Sequence, residues 1–286
     1  MANLLQLFTV LCAMASAGVR ASSLPAFTSV KSCVPFTVLV AAPSAGNSGA
    51  LSVDADAQVA QQVKASVNSG VLTLTLAGGF TTTRTIRCTI TAPNANSLKS
   101  VETQGIGSLV VGPGFNLPSL AVKTSGTAGV YVLGSTIGAL DVDSSGNGQV
   151  FVDSLVKQGA RISSDGISAV TLAGSVEGAV RVDTDGISST FINSGPGTTI
   201  TGKASGLAKI LYRGGQCDLR SDSFDVFAMP AFPGGQCSQV RSVPAVPRAA
   251  WTCGIKVQGQ STCGGGSSAQ ASASQRCQDS APQYVV

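Results

Sequence analysis

"ISSDGISAVTLAGSVEGAVRVDTDGISSTFI", residues 162–192, contains Asp-Gly-Ile-Ser twice, at 165–168 and 185–188. Apolar residues alternate with polar ones on both sides of each glycine. Ile162 precedes Gly166, and Val170 and Leu172 follow it; Val180 and Val182 precede Gly186, and Ile192 follows. Period-two alternation on either side of a glycine turn describes two short, half-buried strands per unit. A fixed interval of 20 residues is the pitch of a repeat architecture before it is a chemical site.

The interval continues in both directions. Gly105, Gly126, Gly146, Gly166, Gly186 and Gly206 are separated by 21, 20, 20, 20 and 20 residues. Four residues before them stand Val101, Val122, Val142, Ile162 and Val182, with Gly202 the exception. Six residues after them stand Val111, Val132, Val152, Leu172, Ile192 and Tyr212. One such unit cannot bury its own apolar face. Stacked units can, with equivalent residues about 4.8 Å apart and strands pairing from rung to rung. Glycine suits the corner because it accepts positive φ without a Cβ clash. "NSGALSV" at 47–53 and "NSGVLTL" at 68–74, spaced by 21, extend the ladder toward the N-terminus. That makes about eight or nine rungs and a rod about 40 Å tall. The expected fold is all-β: a parallel β-solenoid with rungs of about 20 residues and a loosely ordered C-terminal tail. Val142, Val150, Ile162, Val170 and Val182 are expected to point inward, and Asp143, Ser163 and Asp183 outward.

Composition agrees with short strands and tight turns. Glycine is abundant at 34 residues, aromatics make up 5%, charged residues 11%, and histidine is absent. A net charge of +4 without any Lys/Arg run gives no footprint for a nucleic-acid partner. Residues 1–21 read as a signal peptide. "LLQLFTVLCAMA" is an apolar run of suitable length, followed by small residues with cleavage motifs at Ala15-Ser16-Ala17 and Val19-Arg20-Ala21. No later run is long and apolar enough to span a bilayer, so no membrane span is expected. The chain is therefore expected to be secreted, either extracellular or at the cell surface.

Cleavage would leave seven cysteines, at 33, 88, 217, 237, 253, 263 and 277. In an oxidising compartment most should pair. Cys253–Cys263 is the favoured pair because few residues separate them, and Cys217–Cys237 is next, at matching positions of two GGQC copies. Cys88 shares parity with Ile86 and Ile90. It is expected to face the core, either as a free buried thiol or paired with Cys33.

Two stretches carry a family resemblance. "FTVLVAAPSAGNSGALSVDADAQVAQQVKASVNSGVLTLTLAGG" and "IRCTITAPNANSLKSVETQGIGSLVVG" resemble the opening of the auto-transporter adhesin head domain called the GIN domain. The units "LAVKTSGTAGVYVLG" and "LDVDSSGNGQVFVDS" resemble its repeats. The resemblance spans roughly residues 34–213. It implies a β-solenoid with an adhesion role, and it carries no catalytic residues over. The expected organisation is a signal peptide over 1–21, a GIN-like β-solenoid over 22–213, a C-terminal cap over 214–237, and a Gly/Ser/Pro-rich, cysteine-bearing tail over 238–286.

Chemical sites are sparse. Without histidine, Ser-His and Cys-His nucleophiles and histidine-based zinc sites are excluded. Asp141 and Asp143 lie one residue apart on one strand, both outward. Stacking places Arg161 beside Asp141, and Arg181 beside Arg161. The column Glu102, Lys123, Asp143, Ser163, Asp183, Lys203 largely alternates in sign. A solvated ladder of ion pairs accounts for these charges; a lyase-like acid/base cluster is the competing reading. Asp165 and Asp185 stack just before their glycines and make a conceivable edge for Ca²⁺, although turn-forming Asp beside Gly explains them without a metal. No outward column is threonine on every rung, which argues against ice binding. Trp251 is alone and Tyr131, Phe151 and Phe191 are scattered, so an aromatic stacking platform is not expected. No catalytic, cofactor-binding or metal-ligating residue is assigned, and no cofactor. The expectation is a secreted, non-enzymatic, adhesin-like interaction protein whose partner is an extracellular glycan or protein surface. A polysaccharide-acting β-helix enzyme is the alternative.

Overall fold

Strands pair in parallel from rung to rung with the spacing of the glycine ladder. Before the glycines, Val101 lies beside Val122, Val122 beside Val142, Val142 beside Ile162 and Ile162 beside Val182. After them, Leu109, Val130, Val150 and Val170 stack in the same way. All of these side chains are fully buried. The computed structural model describes residues 17–44, 49–220, 237–245, 247, 249–264 and 270–273.

The result is a parallel β-solenoid of about six turns, built as two strand stacks that enclose one apolar interior. The first stack holds the strands that lead into the ladder glycines, such as Ala160–Ser164 and Val180–Thr184. The second holds those that leave them, such as Gln149–Val156 and Ala169–Val176. Val142, Val150, Ile162, Val170 and Val182 point inward as expected; Asp143 and Ser163 are exposed and Asp183 is half-buried. Period two sets the face of each residue, and the 20-residue pitch sets its neighbour on the next rung.

Each corner uses its glycine in two ways. From Gly105 to Gly206 the six ladder glycines hold φ between 69° and 94°. From Gly126 onward, each also lies directly against the backbone of the glycine on the preceding rung. The carbonyl of that preceding glycine accepts the next residue's N–H: Thr127, Asn147, Ile167, Ile187 and Leu207 donate to Gly105, Gly126, Gly146, Gly166 and Gly186. Inside the corner runs a buried hydroxyl column, Thr103, Thr124, Ser144, Ser164 and Thr184. Hydroxyls are tolerated there because most find a partner: Ser164 Oγ lies 2.7 Å from Thr184 Oγ1, and Thr124 Oγ1 donates to the Ala128 carbonyl.

The N-terminal end departs from the expected ladder. Val71–Leu76 does stack in parallel on Ser29–Ser32, but its "NSG" is the tight turn of an antiparallel hairpin with Val63–Asn68. Ser69 and Gly70 both take positive φ, at 50° and 77°, as a two-residue type I′ turn requires. "GALSV" runs antiparallel: Ala50–Asp56 pairs with Phe80–Thr91, which stacks in parallel on Val38–Ala41. Val71–Leu76 thus continues the first stack by one parallel strand, whereas Ala50–Asp56 does not, and the rod has about six turns rather than the eight or nine rungs expected. Together with the helix Ala57–Gln62, whose Val59 and Ala60 are buried, these strands close the end of the core. An open rung would otherwise expose unpaired strand edges and apolar interior there. Ala17–Ser23 adds a last antiparallel strand on Ala50–Asp56. Residues 1–16 of the expected signal peptide (1–21) lie outside the described residues, as do residues 221–236 of the expected cap (214–237).

Part of the tail is folded back along the rod. Val240 donates its N–H to the Tyr212 carbonyl at one end. At the other end Thr37 donates through Oγ1 to the Ala250 carbonyl, and its N–H donates to Thr252 Oγ1. Six rung steps separate Tyr212 from Val40, about 29 Å at the strand spacing. The ten residues from Val240 to Ala250 reach about 33 Å when extended, and Pro244 and Pro247 favour an extended path. Thr252–Gln258 then pairs antiparallel with Phe80–Thr91, burying Trp251, Ile255 and Val257. We call residues 240–262 the strap.

The disulfides bracket the strap. Cys217–Cys237 forms as expected from the GGQC copies. Cys263 pairs with Cys33 rather than with Cys253, and Cys253 is itself disulfide-bonded. The expected Cys253–Cys263 loop is thus corrected. Proximity in sequence lost to the strand Thr252–Gln258, which carries Cys263 away from Cys253 and onto the first stack. Cys88 is free and buried beneath the second stack, and burial pushes its thiol pKa up to about 12.

Candidate functional site

Asp165 and Asp185 are engaged as turn residues. Each Oδ1 accepts the N–H of the following glycine at 2.7 Å, and the Ser205 hydroxyl donates to Asp185 Oδ1 at 2.7 Å. The Ser205 hydroxyl, then the Gly186 N–H, hold the Asp185 carboxyl below its usual range. Among the described residues no group of three or more Asp, Glu, Cys or His gathers to hold a metal.

The charge columns stack in the expected register, but their pairing differs. Glu102, Lys123, Asp143, Ser163, Asp183 and Lys203 lie on successive rungs. Arg181 Nε meets Asp183 on its own strand at 2.9 Å, and Lys31 Nζ meets Glu102 at 2.9 Å. Asp141 and Arg161 are register neighbours, yet neither takes part in an ion pair among the described residues. The ladder of cross-rung pairs is therefore corrected at this point. The two opposite charges instead open onto a common groove.

That groove is a concavity on the outer face of the first stack, about 520 Å³ in volume. Its floor is made of small residues on successive rungs, Ser119, Ala139, Gly159 and Ala179, of which Gly159 is buried and the other three are exposed. Ser119 and Ala139 are register neighbours, and the following rungs continue the column. Gly159 holds φ of 102°, and a Cβ on it would lie 2.1 Å from the Ala179 carbonyl oxygen. The backbone itself therefore forms the floor here. Lys99, Asp141, Gln158 and Arg161 form the polar walls, all exposed. Stacking by sequence sets Asp141 and Arg161 side by side, but it does not single out Lys99, Gln158 or the small-residue column. The available signal was the recurrence of Ser119, Ala139, Gly159 and Ala179 at the 20-residue pitch, the last three standing two residues before Asp141, Arg161 and Arg181.

Two further columns emerge from the register. Tyr131, Phe151, Thr171 and Phe191 align on the outward face of the second stack. Tyr131 and Phe151 stack with centroids 5.3 Å apart. These rings are aligned rather than scattered, as their spacing of 20 would have shown. Tyr131 and Phe151 are half-buried and Phe191 is buried, which leaves no open platform for a base or sugar. At the glycine corner the residue after each glycine points to solvent. Ile106, Ile167, Ile187 and Leu207 are exposed to between 47% and 60%, and the last three occupy consecutive rungs as an apolar ridge.

Comparisons with known proteins agree with this geometry. A family model described as "Putative auto-transporter adhesin, head GIN domain" matches residues 26–215. The crystal structure of a putative adhesin from Bacteroides fragilis is similar at a TM-score of 0.66 and 18% identity, covering 78% of this chain and 97% of that one. A putative adhesin from Parabacteroides distasonis is similar at a TM-score of 0.53 and 14% identity, covering 79% and 98%. A second protein from that organism, described as a putative lipid binding protein, has a TM-score of 0.50 at 11% identity and covers 79% and 97%. No curated protein sequence matches. At these identities the structural likeness concerns the fold.

Proposed function

The chain belongs to the auto-transporter adhesin head GIN domain family, and from that premise we propose that it is a secreted, non-enzymatic, adhesin-like protein that binds an extracellular surface through the outer face of its solenoid. One observation carries the reading. The first stack holds charged side chains in a fixed register around an open groove, and Asp141 and Arg161 there are not spent on each other. Rungs locked by backbone hydrogen bonds cost little further ordering on binding, which favours a rigid recognition surface. Disulfide-bonded cysteines at both ends of the strap accord with an oxidising, extracellular or cell-surface location. Residues 1–21 would direct export and be removed.

The test is direct. The exported protein, applied to an array of extracellular glycans and matrix proteins, should be retained on a defined subset. Incubation with acidic polysaccharides should release no unsaturated or reducing-end products; their appearance would establish the polysaccharide-acting enzyme instead. N-terminal sequencing of exported protein should find residues 1–21 or most of them gone, and an intact Met1 on exported protein would remove the signal-peptide assignment.

A further inference from the structure

We propose that the groove walled by Lys99, Asp141, Gln158 and Arg161 is a binding site for a carboxylate-bearing glycan chain, an inference that rests on the non-enzymatic binding role above. Four features point to that ligand class.

The first is charge. Lys99 and Arg161 supply two cations against the single carboxylate of Asp141, so the groove favours an anion while keeping one strong acceptor for hydroxyl groups. The Arg161 fork suits a carboxylate held through two parallel N–H donors. Lys99 adds a mobile point charge for the next acidic residue along. Asp141 and Gln158 match the alternating donors and acceptors of a sugar's ring hydroxyls.

The second is availability. Lys99, Asp141, Gln158 and Arg161 make no side-chain hydrogen bond or ion pair among the described residues. Arg181, one rung beyond Arg161, is by contrast held by Asp183 at 2.9 Å. A ligand carboxylate reaching Arg161 displaces water, not a protein partner.

The third is periodicity. The floor column Ser119, Ala139, Gly159, Ala179 repeats at the strand spacing of about 4.8 Å, close to the rise of one sugar in an extended chain. A linear glycan lying along the rod axis therefore meets one small floor position per residue. The groove's length from Lys99 to Ala179 accommodates several such residues.

The fourth excludes the main competitor. An extended peptide docks on a sheet by adding a strand to an open edge. The strands beneath this groove, Asn116–Gly126, Gly129–Ser144 and Ala160–Ser164, are interior to the stack, with neighbours on both sides. No backbone edge is on offer, and recognition must come from side chains, as it does for hydroxyl- and carboxylate-rich ligands.

The experiment uses the full exported chain with tetra- to hexasaccharides of galacturonate, and galactose oligomers of equal length as neutral probes. Binding is read by calorimetry at low and at physiological salt. Galacturonate oligomers should bind, more weakly as salt rises, and the galactose oligomers should not. Arg161→Met and Lys99→Met should each weaken binding about tenfold or more. Lys64→Met, an exposed cation on the strand Val63–Asn68 at the rod's N-terminal end, should leave it unchanged. All three substitutions alter exposed side chains, and unchanged melting temperatures verify intact folding. Galacturonate binding that ignores Arg161→Met, or that falls equally with Lys64→Met, overturns the groove assignment while leaving a surface-binding role intact. So does retention on neutral glycans or matrix proteins alone. Absence of binding to any array component overturns both. Accumulation of unsaturated products overturns the non-enzymatic role specifically.

Discussion

Gly166 sits so close beneath Gly146 that a Cβ on Gly166 would lie 2.7 Å from the Gly146 carbonyl oxygen. Gly166 also holds φ at 85°, so two independent constraints act on one residue. Gly166→Val must both enter the left-handed region and push the neighbouring rung away. It should destabilise the protein by well over 1 kcal/mol in chemical denaturation. Gly197→Ala is the matched control: its Cβ would meet nothing within 4 Å, and it lies outside the positive-φ glycines. That change should be within about 0.5 kcal/mol of the parent. Gly264 is no such control despite the open space around it, because it holds φ of 108°.

Ile162 is fully buried between Val142 and Val182. Ile162→Asp places an unpaired carboxylate in a dry interior and should cost several kcal/mol or prevent folding. A melting temperature near the parent's would mean that the inward register is wrong at this rung.

Much of the rod could be read from the chain, because each unit repeats one simple physical rule. Val142, Ile162 and Val182 obey period two within the strand and a period of 20 between rungs, and both signals survive without tertiary information. The cap was harder to read. "NSGVLTL" and "NSGALSV" look alike in sequence, yet Val71–Leu76 stacks in parallel on Ser29–Ser32 while Ala50–Asp56 runs antiparallel to Phe80–Thr91, and only the strand partner decides. The strap was harder still. Trp251, Ile255 and Val257 are buried because Phe80–Thr91 has a free edge far away in sequence, and no local pattern announces that edge. At the groove, Asp141 and Arg161 were correctly set side by side. Their failure to pair, and the contribution of Lys99 and Gln158, depend on side-chain directions that periodicity does not specify.

The Cys33–Cys263 bridge closes a loop with a sequence separation of 230. In the chain-entropy model such a loop contributes up to about 5 kcal/mol. Replacing both cysteines with serine should lower the melting temperature and make residues 240–262 the first site of limited proteolysis. The β-sheet circular dichroism should persist, since the rung stack holds itself by backbone pairing and an apolar interior. Loss of that signal in the double variant would mean that the disulfide holds the rod itself.

Cys88 has a thiol pKa of about 12 in the fold, against 9.0 in its absence, owing to burial. Because the folded pKa is the higher one, the stabilisation tied to the neutral thiol is complete below pH 9 and is lost as pH rises toward 12. Cys88→Ala should remove that part of the alkaline loss of stability. In the native parent, a thiol-alkylating reagent at about pH 8 should leave Cys88 unmodified until denaturant is added.

The Ser205 hydroxyl is the leading cause of the lowered Asp185 pKa. Ser205→Ala should raise that pKa toward the ordinary carboxylate range, as read by NMR titration, with the Gly186 N–H maintaining part of the shift. The group's stabilising effect is present above the unfolded pKa and fades as pH falls through the folded one, so the variant should lose less stability on acidification than the parent does. An unchanged titration would place the cause of the shift elsewhere.

The strand Phe80–Thr91 has a mechanical consequence. Ala17–Ser23 reaches it through Ala50–Asp56, and Gln270–Ala273 reaches it through Thr252–Gln258. Both extremities of the described chain are thus moored at one pole of the rod, two strands away from a shared anchor. Tension applied between Ser22 and Ala273 is borne by these antiparallel seams and does not travel along the rungs. The turns from Gly126 to Gly206 bear none of the load, so a grip on the molecule at that pole leaves the groove's geometry undistorted until the seams themselves give way.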